Sequence, residues 1–139
     1  QEFAEANKIL EEDYKNYKID KISEKILMKL DIEKIISKRK ENANIIYHYL
    51  EQSQDIEYIR NTDLKYDCPM FVPIFLKNKE KREVLRNRLI QKQIYCPNHW
   101  PIPNIIQDNN KKAIYDKEIS LICDQRYSKN EIEEYLKSI

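Results

Sequence analysis

The stretch Cys68–Pro103, CPMFVPIFLKNKEKREVLRNRLIQKQIYCPNHWPIP, decides the fold that the sequence predicts. Its first part, Cys68–Leu76, is a short run rich in aromatic and β-branched residues, which is typical of a buried strand. Pro69 and Pro73 interrupt this run, and proline gives no N–H group to a β-ladder. The sequence therefore predicts a strand that lies at a sheet edge or at a bulge.

A basic helix and a second strand are predicted to follow the first strand. Asn78 is a suitable N-cap, and the helix that it begins should end near Gln93. Ile94–Pro97 is then predicted as the second strand, and Asn98–Pro103 as a proline-stiffened loop that leaves the end of this strand. Loops that a rigid β-α-β unit carries at its strand ends are where binding and catalytic sites are commonly built.

Helices are predicted on the N-terminal side of this unit. An amphipathic pattern predicts a helix over about 2–17, and Ser23 is a possible N-cap for a second, short helix. Asp31 is predicted to cap the longest helix, which should extend to about residue 51. Arg39 and Asn42 fall on or beside the apolar stripe of that helix, so each must find a partner or reach solvent. Either Arg39 extends its charged end to solvent and Asn42 is hydrogen-bonded within the fold, or both residues face another domain.

Further short elements are predicted on either side of the central unit. Ile56–Ile59 alternates weakly and is a candidate for an additional short strand. The polar stretch 107–117 is predicted as a loop that ends in one helical turn, and Glu118–Cys123 as a third strand. Ser128 and Glu131 have the spacing of a capping box, which predicts a terminal helix after a tight connection.

These elements predict an α+β fold, in which a small sheet of about three strands is packed by helices and preceded by a long connecting helix. We expect residues 1–52 to form an N-terminal helical, connecting segment and residues 53–139 to form a small α/β domain. The chain begins at Gln1 without a methionine, and its first residues already predict helix. We therefore expect a fragment of a longer chain.

Composition excludes several classes of function. The 139 residues carry a formal net charge of +1, from 25 basic and 24 acidic residues, so no global field attracts nucleic acid or an anionic membrane. The chain contains no glycine, which excludes nucleotide sites built on a Gly-rich loop. No apolar run approaches the ~20 residues of a membrane span, and no signal-peptide pattern is present, so we expect a cytoplasmic protein.

The predicted helix over 79–92 has a strongly basic local charge. Residues 77–92 include seven basic residues against Glu80 and Glu83, a local charge of about +5. One interpretation is a solvated helix face; the other is a non-enzymatic binding module that uses this helix on nucleic acid or on a protein partner. The balanced total charge and the missing RNA-binding aromatic motif count against nucleic acid.

The three cysteines allow two interpretations. An odd number without a close Cys-x-x-Cys pair argues against a disulfide framework, and reduced, buried thiols are the simpler expectation. Alternatively, Cys96 and His99 have Cys-x-x-His spacing, and Cys68 and Cys123 would complete a zinc site. One short-spaced pair is a weak metal signal, so we assign no metal ligand.

The sequence contains no complete catalytic constellation such as a serine nucleophile motif, a two-histidine metal helix or a P-loop. Polar groups do collect after predicted strands, with His99 and Trp100 after the second and Asp124, Gln125 and Arg126 after the third. If the sheet brings these loops together, an imidazole, an indole and a guanidinium suit an anionic, ring-bearing ligand. The alternative is structural, with Trp100 anchoring the core and Arg126 pairing with Asp124 or a helix end.

Five segments occur in an order that has a counterpart among known enzymes: Lys38–Asn42, Cys68–Ile74, Leu89–Ile94, Cys96–Pro103 and Leu121–Tyr127. This order resembles the C-terminal part of pyridoxal-phosphate-dependent sugar aminotransferases, fold type I enzymes of the aspartate aminotransferase superfamily. The resemblance runs from about Ser23 to the end, and its last two segments are distinctive. Where family members usually carry glycine, this chain has Gln93, which changes a helix C-cap and not the chemistry.

The resemblance implies that this chain is the small domain of an aminotransferase acting on an amino or keto sugar, or a similar metabolite. The Schiff-base lysine and the phosphate cup for pyridoxal phosphate would belong to a large upstream domain of the same chain. We therefore expect no catalytic and no cofactor-binding residue here, and no activity from this chain alone. The expected substrate contacts are His99, Trp100 and Arg126, in that order, in a parent that forms a homodimer.

Overall fold

The computed structural model describes residues 5, 7, 8, 11, 18–59, 63–97 and 102–139. The chain divides into two compact units, residues 1–32 and residues 33–139. The helix predicted over 2–17 lies largely outside the described residues, although residues 5, 7, 8 and 11 are helical. None of the described helices combines the length and the apolar character of a membrane span.

Five helices and three strands make up the described part of the chain, which confirms the predicted α+β fold. A short helix and the longest helix come first, and the strands and remaining helices follow. In chain order the elements are α1 (Lys21–Leu27), α2 (Ile32–Glu51), β1 (Glu57–Tyr58), β2 (Phe71–Phe75), α3 (Lys79–Gln91), α4 (Asn109–Lys117), β3 (Glu118–Ile122) and α5 (Lys129–Leu136).

The three strands form one antiparallel sheet in the order β1-β2-β3. In the β2–β3 register, Val72 lies opposite Leu121 and Ile74 opposite Ile119. Because side chains alternate between the faces of a strand, these four share one face, and all four are fully buried. The apolar core of residues 33–139 is built on this face.

The structure places the proline-containing strand at the centre of the sheet, so the edge-or-bulge prediction for it was wrong. Pro73 lies opposite Ser120, whose N–H group donates to the carbonyl of Pro97 and not to β2. Pro73 and Ser120 are therefore a non-hydrogen-bonded pair, and in an antiparallel ladder the backbone nitrogens of both residues of such a pair point away from the partner strand. The nitrogen of Pro73 therefore lies on the β1 side, where pairing ends at Ile74, and no ladder hydrogen bond is lost there.

The second predicted strand was also wrong, because Ile94–Pro97 is not part of the sheet. This segment lies beside β3, with a 3.2 Å hydrogen bond from Ser120 N to Pro97 O. Proline has no N–H to return, so a regular ladder cannot continue at that residue. The sheet takes its remaining strand from β1, which lies within Ile56–Ile59, the segment predicted as a candidate for an additional short strand.

Local capping residues set the starts of four helices. Asn78 caps α3, and Ser128 with Glu131 forms the predicted capping box of α5. The predicted cap at Ser23 was wrong, because Asp20 begins α1 and accepts hydrogen bonds from the N–H groups of residues 22 and 23. Asp108 caps α4, so the predicted loop before residue 113 is helical from residue 109.

One hydrophobic core lies within residues 33–139, between the sheet and α2, α3 and α5. The long helix α2 contributes its buried stripe to this core, so it belongs to the same compact unit as the sheet. The core residues are Ala43, Ile46, Tyr47, Leu50, Val72, Ile74, Leu85, Leu89, Cys96, Ile119, Leu121, Cys123, Ile132, Tyr135 and Leu136.

Candidate functional site

The turn that joins β3 to α5 carries the one predicted substrate contact that the structure describes. Arg126 donates from Nε to Asp124 Oδ1 at 2.9 Å and from a terminal nitrogen to Asp124 Oδ2 at 3.1 Å. The backbone N–H of Arg126 also donates to Asp124 Oδ1, at 2.8 Å. The alternative interpretation of Arg126 as a partner of Asp124 is therefore confirmed.

The pairing holds the guanidinium of Arg126 in one orientation while leaving it open to solvent. The Arg126 side chain is 76% exposed, against 17% for Asp124. Hydrogen bonds from Arg126 lower the pKa of Asp124, and the same contact raises the pKa of Arg126. Both groups therefore stay charged across the neutral range, and an anion can still approach the free side of the guanidinium.

A second arginine reaches this turn from α2. Arg39 Nε donates to Gln125 Oε1 at 2.6 Å, although the two residues are 86 positions apart. The Arg39 guanidinium also lies 3.9 Å from Asp124 Oδ2, and its side chain is 22% exposed. The carboxylate of Asp124 thus lies between two guanidinium groups.

Asn42 joins the same helix to the same turn from inside the core. Its Nδ2 donates to the carbonyl of Asp124 at 2.8 Å and to that of Tyr127 at 3.1 Å, and the residue is fully buried. Its Oδ1 is buried without a hydrogen-bond partner among the described residues, which costs about 1–3 kcal/mol. The two polar residues on the α2 stripe therefore find partners within the fold.

A cavity of about 470 Å³ lies beside this cluster, between the first turns of α2 and Gln125. Its charged residues are of both signs, and two of them, Lys38 and Glu41, form a 2.8 Å ion pair along α2. The lining residues are Lys34, Ile35, Ser37, Lys38, Glu41 and Gln125.

The other two predicted contacts, His99 and Trp100, lie outside the described residues. Only the approach to their loop is described, where Cys96 is buried beside β3 and Pro97 accepts the hydrogen bond from Ser120. Whether these side chains meet Arg126 therefore stays a prediction.

The residues that the sequence did not assign to the site are Arg39 and Asn42, whereas Asp124 and Gln125 were among the polar groups predicted to collect after the third strand. The sequence feature that could have found them is their position: both are polar residues on or beside the apolar stripe of α2, where a polar side chain requires a hydrogen-bond partner. The identity of those partners was not readable, because Arg39 and Asn42 bond to a turn more than 80 residues away.

The basic helix uses several of its cations within the fold. Arg82 is buried and donates from Nε to the carbonyl of Asp116 at 3.1 Å. Arg88 donates to the Ser138 carbonyl at 3.2 Å, and Lys92 bonds to the Ser138 hydroxyl at 2.9 Å. These contacts weaken the argument that the whole helix presents a basic face to nucleic acid or to a protein partner.

The three cysteines are reduced, and they do not assemble with other described residues into a metal centre. Cys68 is exposed, whereas Cys96 and Cys123 are buried. Within the described ranges, no three His, Cys, Asp or Glu side chains are close enough to hold a metal ion, and His99 is outside those ranges. Burial raises the pKa of Cys96 to about 11 and that of Cys123 to about 12, so both thiols are neutral at pH 7.

No protein-family model and no curated protein matches this sequence. Solved structures do match its fold. The sugar aminotransferase CalS13 from Micromonospora echinospora superposes with a TM-score of 0.63 and 10% identity, over 78% of this chain and 31% of that one.

Two further aminotransferases match in the same way. TlmJ from Streptoalloteichus hindustanus gives a TM-score of 0.61 at 13% identity, over 74% of this chain and 30% of its own. PseC from Helicobacter pylori, an aminotransferase involved in the biosynthesis of pseudoaminic acid, gives 0.59 at 14% identity, over 74% of this chain and 31% of its own.

These matches confirm the fold that the resemblance implies: the chain has the fold of part of an aminotransferase. Identities of 10–14% establish the fold and no more. The chain spans about 31% of the length of CalS13, so most of that enzyme has no counterpart here.

Proposed function

We propose that this chain is the small domain of a pyridoxal-phosphate-dependent aminotransferase that acts on an amino or keto sugar, or a similar metabolite. The observation that carries the proposal is the fold match to CalS13, with a TM-score of 0.63 over 78% of this chain. The role of the domain is to shape the substrate side of the active site. We place the parent enzyme in the cytoplasm as a homodimer.

The cofactor belongs, in this proposal, to a larger domain of the same protein. At the β3–α5 turn, Arg39 is bonded to Gln125 and Arg126 offers one open side of its guanidinium, and a single open donor group does not make a cofactor phosphate cup. Pyridoxal phosphate supplies the electron sink for the reaction when it is bound. The 139-residue chain is therefore proposed to be inactive by itself.

Arg126 is the described residue that we assign to substrate contact. Its guanidinium is oriented by two hydrogen bonds to Asp124 and is 76% exposed, so a carboxylate or phosphate of a substrate can reach its open side. His99 and Trp100 are proposed as further contacts on the resemblance alone. An imidazole and an indole suit the polar groups and the ring of a sugar.

The proposal is tested on the protein encoded by the complete gene. The purified protein should acquire the visible absorbance of bound pyridoxal phosphate and transfer an amino group between an amino-acid donor and members of an amino- and keto-sugar panel. The 139-residue chain, treated in the same way, should do neither. A complete protein that binds no pyridoxal phosphate would refute the assignment.

The substrate role of Arg126 has its own test in the same protein. Arg126→Ala should raise KM for the anionic substrate about 10–100-fold with little change in kcat, since a charged hydrogen bond contributes ~1.5–3 kcal/mol. The matched control is Arg86→Ala on α3, which removes the same charge away from the turn and should leave KM unchanged. Equal KM values for the two variants would exclude Arg126 as a contact.

A further inference from the structure

A cavity of about 720 Å³ opens at the end of the sheet opposite to the β3–α5 turn. Lys117 lines it from the position before β3, whereas Asp124 lies beyond the other end of that strand. The two residues are seven positions apart, a distance of roughly 20 Å along an extended chain. The cavity is therefore separate from the turn that contains Arg126.

Three lysines from different parts of the chain line this cavity. Lys77 follows β2, Lys81 lies in the first turn of α3, and Lys117 ends α4. Within the described ranges, no carboxylate forms an ion pair with any of these three ammonium groups, whereas the neighbouring Lys79 pairs with Asp116 at 3.5 Å. The cavity thus brings together three positive charges that the described part of the chain does not pair.

Two of these lysines occupy positions where the core pattern would place apolar side chains. Lys81 lies one turn before Leu85 and two turns before Leu89 on α3, and both leucines are buried in the core. Lys117 lies opposite Leu76, whose N–H donates to the Lys117 carbonyl at 3.0 Å and whose side chain packs against the core. Because residues directly opposite share one face of an antiparallel sheet, Lys117 lies on the core face. Both lysines are therefore at the open end of the layer between the sheet and α3.

Two carboxylates also line the cavity, from the side of β1. Asp55 precedes β1 and Glu57 is its first residue, and β2 separates this strand from β3. Glu57 lies opposite Phe75, and that pair alternates away from the core face. Three ammonium groups against two carboxylates leave a net charge of about +1, with the positive charge on the side of α3 and β3.

We propose that this cavity binds a small phosphorylated metabolite, whose phosphate group is held by Lys77, Lys81 and Lys117. Lysine binds phosphate as a compact point charge. A phosphate group carries a charge of about −1.5 to −2 at pH 7, so it matches three converging ammonium groups better than a carboxylate with one charge does. The N-terminus of α3 lies between Lys77 and Lys81, and its partial positive charge adds to theirs.

The apolar part of the lining leaves space for an organic group beside the phosphate. Phase contacts are offered by Phe75 and Leu76 at the end of β2, next to Lys77. A volume of about 720 Å³ is in the range of sites for small metabolites. The site lies away from Arg126, so the proposal does not depend on the proposed function.

The experiment titrates the 139-residue chain with inorganic pyrophosphate and follows the backbone amide signals by NMR. We expect saturable shifts at Lys77, Lys81 and Lys117, with a Kd of about 1 mM or below at low ionic strength. Citrate, whose charges are carried by carboxylates, should bind at least about fivefold more weakly.

Variants test the lysines directly. Lys81→Gln with Lys117→Gln should raise the Kd for pyrophosphate at least about tenfold, because each loses a charged hydrogen bond. Lys81→Arg with Lys117→Arg keeps the charges and should stay within about threefold of the parent chain. The matched control is Lys111→Gln with Lys129→Gln, which removes the same charge outside the cavity and should leave the Kd unchanged.

Far-UV circular dichroism checks that each variant is folded, and Lys77→Gln, at an exposed position, gives a second measure of the same loss. Shifts that do not saturate, or that centre on Arg126, would overturn the proposal. An equal rise in Kd for the control pair would reduce the binding to general charge attraction, and equal binding of citrate would exclude phosphate as the recognised group.

Discussion

Replacing Gln93 by glycine should stabilise this glycine-free chain. Gln93 follows α3 with a φ of 61°, in the left-handed region that favours glycine. Its N–H donates to the Ile90 carbonyl at 2.8 Å, and the N–H of Ile94 donates to the Leu89 carbonyl at 2.9 Å. This pair of bonds is a Schellman motif, and the accompanying apolar contact forms where Ile94 packs against the core that contains Leu89.

The size of the effect follows from two opposing contributions. A side chain with a Cβ atom in the left-handed conformation costs about 1–2 kcal/mol relative to glycine. Glycine in turn gives the unfolded chain more freedom, which costs about 0.4–1 kcal/mol on folding. Gln93→Gly should therefore raise the free energy of unfolding by roughly 0.5–1 kcal/mol, and Tm by about 2–6 °C for a chain of this size.

The assay is urea unfolding of the 139-residue chain, followed by far-UV circular dichroism, with a thermal scan as a second measurement. Gln93→Ala is the first control, because alanine keeps the Cβ atom and should leave stability nearly unchanged. Gln91→Gly is the second, because it puts glycine into the last turn of α3 and should destabilise by up to about 1 kcal/mol. A Gln93→Gly variant no more stable than Gln93→Ala would refute the reasoning.

Three further perturbations test the contacts that hold the β3–α5 region. Asn42→Ala removes the shared donor of two carbonyls on half-buried residues, but it also removes the unpartnered Oδ1, so the unfolding free energy should fall by only about 1–2 kcal/mol in urea titrations; an unchanged unfolding free energy would contradict this. Tyr135→Phe removes a 2.9 Å hydrogen bond to the Ile122 carbonyl and should cost about 0.5–1.5 kcal/mol; an unchanged urea midpoint would contradict the contact. Burial raises the pKa of Cys96 to about 11 and that of Cys123 to about 12, from 9.0. The free energy of unfolding should therefore be unaffected by these thiols below pH 9 and should fall as the pH rises through 11. A Cys96→Ala, Cys123→Ala variant should lose less stability over this pH range than the parent protein.

Elements that depend on neighbouring residues were predictable from the sequence. The capping box at Ser128 and Glu131, the cap at Asn78 and the α+β pattern all rest on spacings of a few residues, and the structure confirms them. The pair formed by Arg126 and Asp124 is equally local, since the two residues are two positions apart, and it was available as an alternative. In the two caps and in the Arg126–Asp124 pair, the interacting residues are close together in the sequence, within about one helical turn of each other.

The sequence determined the types of most elements, the caps at Asn78 and Ser128 and the pairing of Arg126 with Asp124, and the tertiary structure decided which elements meet. Pro73 occupies a central strand because its ring nitrogen faces a side where pairing has already ended, and that depends on the length of β1. Likewise, Arg39 joins Gln125 across 86 positions only because α2 packs beside the end of β3. Pairings of this kind arise from burying apolar faces together, and a face in the sequence does not specify which other face will cover it.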